Sequence, residues 1–209
     1  MSSPADEVTF TDVYPVEVGS QPIELPIVAI DDDLAIALLI TVDVPLSFID
    51  RAGEELADKL QPHGPEVVVT AATLGIPVAL ATARALGHDT IVVLHKTPKT
   101  HLADALVEPL SSITTRGEQV FRLDRARTPE LDGRAVAFVD DVVSTGGSAA
   151  AAVRLIEAAG GRVCASGALL VEGTGWRKTL GQHADTLESL GSIPIFRPAD
   201  GGAWSAVFE

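Results

Sequence analysis

Apolar positions along the chain gather into short uninterrupted runs rather than an even alternation with polar ones. EVVVT (66–70), IVVL (91–94), AVAFV (135–139) and VCASGALLV (163–171) carry many β-branched residues and no polar face. Such runs read as strands buried on both sides. Helical stretches separate them. One follows AATLG (71–75) and ends at Gly87, and another is GGSAAAAVRLIEAAGG (146–161), closed by a glycine pair. Buried strands alternating with helices predict βαβ units, hence an α/β, doubly wound, mainly parallel sheet with helices on both faces.

Upstream, apolar residues at helical spacing (Ile49, Ala52, Leu56, Leu60) predict a helix over 48–60 that stops before Pro62 and Gly64. A further helix is expected after Asp31, Asp32 and Asp33, whose carboxylates suit the positive end of a helix dipole. These three acids therefore read as a cap and not as a metal site. Residues 1–26, with four prolines, read as an extended or loosely strand-forming arm, 27–172 as the core domain, and the mixed tail 173–209 as an appendage. The stretch 95–133 is too long for an ordinary connection, and long loops in compact domains usually carry function.

Composition narrows the class. Of 209 residues 46% are hydrophobic but only 4% aromatic, so the core is built mainly from Ala, Val, Leu and Ile. Net charge is −14, and residues 1–50, with ten acids and no Lys or Arg, hold −10 of it. A nonspecific nucleic-acid binder needs the opposite balance. Cys164 is the single cysteine, so no intramolecular disulfide is expected, and the five histidines show no ligand spacing for zinc. The first ten residues lack the basic and apolar regions of a signal peptide, and the longest apolar stretch, 34–42, is far shorter than the roughly 20 residues of a membrane span. The expectation is a cytoplasmic protein with neither nucleic-acid nor membrane partners.

Chemistry concentrates in VAFVDDVVSTGGS (136–148). An apolar strand delivers Asp140 and Asp141 to its carboxyl end, where α/β sheets bind their ligands. Ser144, Thr145, Gly146, Gly147 and Ser148 then form a small hydroxylic turn that opens a helix. Free backbone N–H groups there, with hydroxyls beside them and glycines that allow close approach, suit a phosphate. Acids able to grip ribose hydroxyls stand two residues away, so the whole reads as a ribose-5-phosphate device. No Gly-Lys-Ser/Thr ending is present, which excludes a P-loop.

In this order of strand, acid pair, spacing and Thr-Gly-Gly turn, the segment resembles the fingerprint of the type I phosphoribosyltransferases. The resemblance runs over most of residues 27–172 and is nearest the adenine and xanthine branch and its uncharacterised relatives. It implies that the turn TAATLG (70–75) binds pyrophosphate through Ala72, Thr73, Leu74 and Gly75, aided by Lys96 and Lys99 of LHKTPK (94–99). It implies a mobile loop in SSITTRGEQ (111–119), with Thr114, Thr115 and Arg116 closing over the reacting centre. VEGT (171–174) also looks like the adenine branch. Three positions depart from the family pattern: Ala72 to Leu74 stand where an acid and a small or basic residue are usual, only His95 and Lys96 remain of a basic pair, and Thr115 replaces a glutamate.

The activity so implied transfers the phosphoribosyl group of 5-phosphoribosyl-1-pyrophosphate to a purine base, adenine-like, with release of pyrophosphate. Asp140, Asp141 and Arg116 would be the catalytic residues, magnesium would arrive on the donor, and no dedicated protein metal site is expected. The resemblance further implies a homodimer and a variable hood over the base, made from residues 1–26 and 173–209. Trp176 and Trp204 lie in that tail and read as packing residues. A donor-binding sensor without turnover and an enzyme for another nitrogen acceptor stay open. The acidity is no obstacle to an anionic donor, because residues 95–127 hold six Lys/Arg against four acids.

Overall fold

A computed structural model of the chain describes residues 9–102, 104–110 and 119–209. The amino-terminal part opens with β1 (Thr9–Phe10), continues through β2 (Val13–Val18) and β3 (Gln21–Ala29), and reaches β4 (Ala35–Ala37). Burial alternates along β2 and the first half of β3, as expected of an antiparallel hairpin covered on one face. β4 corrects the helix expected after the acid run. Ala35 and Ala37 bury completely or nearly so, and β4 pairs with β3 in the register Val28↔Ile36. Asp31 to Asp33 form the intervening turn: the N–H groups of Ile30 and Asp31 donate to Leu34 O, and Asp33 N–H donates to Asp31 Oδ1 at 2.9 Å. Aspartate favours such turns because its side chain accepts from the backbone two residues on.

Helix α1 (Leu46–Leu60) buries Ile49, Ala52, Leu56 and Leu60 as their spacing predicts, and it begins two residues before the expected start. β5 (Val67–Ala71), α2 (Gly75–Ala85) and β6 (Ile91–Leu94) follow as expected. The long stretch after β6 is not simply a loop. It carries an antiparallel ribbon, β7 (Ala105–Pro109) with β8 (Val120–Asp124), and a 3-10 segment from Arg125 to Glu130. β9 (Ala135–Val143) runs four residues past the apolar run, through both aspartates, to α3 (Gly147–Ala158) and then β10 (Arg162–Glu172). The chain continues through α4 (Trp176–Leu180), β11 (Leu187–Ile193), β12 (Ile195–Pro198) and β13 (Trp204–Val207). Among the described residues no helix is long and apolar enough to cross a membrane.

The central sheet is parallel throughout, in the order β11-β10-β9-β5-β6. Its pleat divides the core in two. Ala137 and Val139 face the cluster containing Leu56 and Leu60 of α1 and Val78 and Ala79 of α2, whereas Val136 and Phe138 face Leu155 and Ile156 of α3. Helices on both faces make this the doubly wound architecture that the alternating runs predict.

A second, antiparallel sheet gathers both ends of the chain in the order β1-β13-β12-β4-β3-β2. Phe10, Tyr14 and Phe196 meet edge to face, with centroids 5.1–6.0 Å apart, and tie the two ends together. Gly19 N–H donates to Leu190 O at 2.9 Å, which fastens the β2–β3 turn to β11 of the parallel sheet. This layer fits the hood implied by the resemblance. β11, from the 173–209 segment, extends the parallel sheet, and β4, from within 27–172, belongs to the antiparallel one.

Candidate functional site

The strand order creates one place where a ligand fits best. From β5 the chain steps outward to β6, and β9 then returns to the other side of β5 before β10 and β11 continue in that direction. The turns leaving β5 and β9 therefore diverge, and the crevice at such a switch point is where open α/β sheets bind ligands. A cavity of about 250 Å³ occupies it, lined by residues 71–74, Lys96 and residues 140–149. The turn proposed for pyrophosphate, the acid pair and the hydroxylic turn thus share one space.

Asp140 and Asp141 differ in surroundings. Asp140 is 8% exposed, whereas Asp141 is half-buried. Burial, reinforced by the charge of Asp141, pushes the Asp140 carboxyl well above the usual carboxylate range, and Lys96 pulls the other way. Asp140 Oδ1 accepts the Asp141 N–H at 3.1 Å. Gly75, the first residue of α2, lies directly behind it. A Cβ there would stand 2.4 Å from Thr70 Oγ1 and 2.5 Å from Asp140 Oδ1, so any side chain at this position would force the carboxylate or the helix start to shift.

At the other turn Gly146 takes φ +79°, the left-handed backbone that precedes the helix, and a Cβ on it would lie 3.1 Å from the Trp176 backbone. Trp176 is buried, its Nε1–H donates to Gly173 O at 3.1 Å, and the Arg177 guanidinium lies 4.3 Å from its ring centroid. It packs beneath the turn, in keeping with the packing role expected of it, and Trp204 lies half-buried in the antiparallel sheet. Gly147, Ser148 and Ala149 open α3 at the cavity. The first N–H groups of a helix have no partner within it, so this end faces the cavity with donors and the positive end of the dipole.

Lys96 and Lys99 separate. Lys96 lines the cavity, with its ammonium 5.8 Å from the Phe121 ring centroid and its carbonyl accepting from Arg122 Nη1 at 3.1 Å. Lys99 is exposed, does not line the cavity, and its carbonyl accepts the Leu102 N–H of a 3-10 turn. Thr114, Thr115 and Arg116 lie outside the described residues, as does the remainder of 111–118. Among the described residues no group of three or more His, Cys, Asp or Glu could hold a metal ion. Two adjacent carboxylates suit a hydrated divalent cation that arrives on a phosphate ligand.

Two residues that the motif does not contain reach the site. Glu172, at the end of β10, is 7% exposed and accepts a short hydrogen bond from Ser144 Oγ. Burial raises its pKa and the serine bond lowers it. Thr41, also buried, donates to Leu74 O at 2.5 Å and ties the segment after β4 to the turn after β5. Each carries a signal in the sequence: a carboxylate closing the apolar run ALLVE, and a hydroxyl inside the apolar run 34–42.

Comparison with known proteins follows the same lines. The phosphoribosyl transferase domain matches residues 34–187. A xanthine phosphoribosyltransferase of Chloroflexus aurantiacus is 35% identical over 129 residues, 62% of this chain and 59% of that one. An orotate phosphoribosyltransferase of Sulfurisphaera tokodaii is 39% identical over 70 residues, 34% of this chain and 36% of the relative. The matched part thus spans less than two thirds of either relative. The adenine phosphoribosyltransferase structure from Thermoanaerobacter pseudethanolicus superposes with a TM-score of 0.61 at 22% identity, covering 76% of this chain and 87% of that one, a likeness of fold. The switch-point cavity falls inside the matched residues, and the chain belongs to the phosphoribosyltransferase family.

Proposed function

We propose that the protein is an enzyme that transfers the phosphoribosyl group of 5-phosphoribosyl-1-pyrophosphate to a ring nitrogen of a purine base, adenine-like, in nucleotide salvage. The C1′–oxygen bond to pyrophosphate breaks, a C1′–nitrogen bond forms, and the base nitrogen gives up its proton. The observation that carries the reading is the juxtaposition of Asp140 and Asp141 with both turns in one cavity. The acid pair accepts from the ribose hydroxyls and faces the positive charge that develops at the anomeric carbon. Ser144 to Ser148 cradle the 5′-phosphate, while the backbone of 72–74 and the Lys96 ammonium meet the pyrophosphate. Magnesium would arrive on the donor and neutralise charge on the pyrophosphate, with Asp140 and Asp141 placed to hold its hydration shell. Arg116, in the segment between β7 and β8, is assigned to the closing loop on family likeness; the homodimer rests on the same likeness, and the cytoplasmic setting on the single cysteine and the absence of a signal-peptide pattern in the first ten residues.

A purine acceptor is supported by the match to the xanthine relative over 62% of the chain. The orotate relative favours a second reading, in which the acceptor is a pyrimidine. Pyrophosphate release, measured with donor, magnesium and in turn adenine, guanine, hypoxanthine, xanthine, orotate and uracil, separates the two. Release with adenine above all others is the expected result. Release with orotate alone transfers the assignment to the second reading, and donor binding without release for any base makes the protein a sensor.

A further inference from the structure

Ser144 is the first hydroxyl of the proposed phosphate cradle, and its proton is already engaged. β10 lies beside β9 in the register Val171↔Val143, so the residue after each pair, Glu172 and Ser144, meets across the ends of the two strands. Glu172 pairs on its other side with Ile193 of β11, and the next N–H, that of Gly173, donates to Ile193 O at 3.0 Å. The carboxyl is thus held from a rigid sheet. A buried carboxyl is costly unless it is hydrogen-bonded, and the Ser144 hydroxyl supplies that bond. The turn is also wedged by the Trp176 backbone against Gly146. Its two ends are fixed by elements that themselves stay outside the cavity.

We propose that Glu172 is a positioning residue for the phosphate cradle: by holding the Ser144 hydroxyl proton it fixes the turn 144–146 and leaves the phosphate to Thr145, Ser148 and the first N–H groups of α3. The inference rests on the reading of 144–148 as the 5′-phosphate site. A hydroxyl has one proton, so Ser144 cannot donate to Glu172 and to a phosphate at once. Burial raises the carboxyl pKa, and the Ser144 bond pulls it the other way. What the site requires of position 172 is an acceptor and not a charge.

Calorimetric titration of ribose 5-phosphate into wild type, Glu172→Ala and Glu172→Gln tests this. Glu172→Ala weakens binding about tenfold, as loss of one hydrogen bond that orders a site would. Glu172→Gln, whose amide oxygen still accepts from Ser144, stays within about threefold of wild type or binds more tightly. Should Glu172→Ala fail to fold, Ser144→Ala cuts the same bond from its other end and gives a similar loss. In the double variant the two losses do not multiply, because they remove one interaction. Unchanged affinity in the Ala variants, a Gln variant as weak as Glu172→Ala, or losses that multiply overturns the role of Glu172. A wild type that does not bind ribose 5-phosphate overturns the cradle reading together with this inference.

Discussion

Gly75 and Asp140 share one space: the position a side chain would take on the first is 2.5 Å from a carboxylate oxygen of the second. Helix α2 therefore starts against the buried acid of β9, and the two turns that line the cavity are set relative to one another by that contact. Gly75→Ala forces the carboxylate or the helix start to move. We expect a loss of about 1–3 kcal/mol in stability, in the range of overpacked sites, and a fall in donor affinity. Chemical denaturation and pyrophosphate release measure the two effects, and an alanine variant equal to wild type in both would show that the site has room the distances deny.

Asp140 gives a pH dependence with a defined sign. Its pKa in the folded protein lies above that of the unfolded chain, so the folded state binds the extra proton and stability falls as pH rises from the unfolded value through the folded one. Above that window the protein bears the full cost of a buried carboxylate. Asp140→Asn removes it, so the variant melts higher than wild type at pH 7, and the difference shrinks toward pH 4. Thermal melts across this range check the trend, which would be absent if Asp140 were ordinarily solvated.

Lys96 and Lys99, three residues apart, separate in effect. Lys96 lines the cavity and Lys99 does not. Loss of a hydrogen bond to a charged group weakens binding roughly tenfold to a hundredfold. Lys96→Ala should raise the donor KM by that factor, with Lys99→Ala within about twofold of wild type. Equal effects in steady-state assays of the two variants would remove the distinction.

Thr41 ties the segment after β4 to the turn after β5 through Leu74 O. Thr41→Val leaves that carbonyl without its donor at nearly constant volume, for an expected cost of about 1–2 kcal/mol. Hydrogen exchange at residues 72–76 should rise in the variant. No change there would confine the bond to a local packing role.

Much of this was legible along the chain because it is local. β5, β6, β9 and β10 appear as apolar β-branched runs, since strands covered on both faces have no polar side to betray them. The acid pair and the hydroxylic turn are contiguous, so their spacing carries the chemistry. The apolar run after Asp33 has no such internal evidence. A three-residue buried strand and one turn of buried helix look alike in composition, and only pairing with β3 and β12 decides for β4. The roles of Glu172 and Thr41 at the site escape for a related reason. They reach the site from 28 and 33 residues away from their partners Ser144 and Leu74, contacts that depend on strand order and leave no periodicity behind.

The central claim is that the acid pair and the turn beside it bind the donor. The most direct measurement is calorimetric titration of 5-phosphoribosyl-1-pyrophosphate with magnesium into wild type and into the Asp140→Asn, Asp141→Asn double variant. Wild type is expected to bind in the range of about 1 µM to 1 mM usual for enzyme substrates. Affinity weaker by about a hundredfold or more is expected in the double variant, from the loss of two charge-assisted contacts, with the melting transition retained. Equal affinity in the two proteins, or no binding by wild type, would contradict that claim.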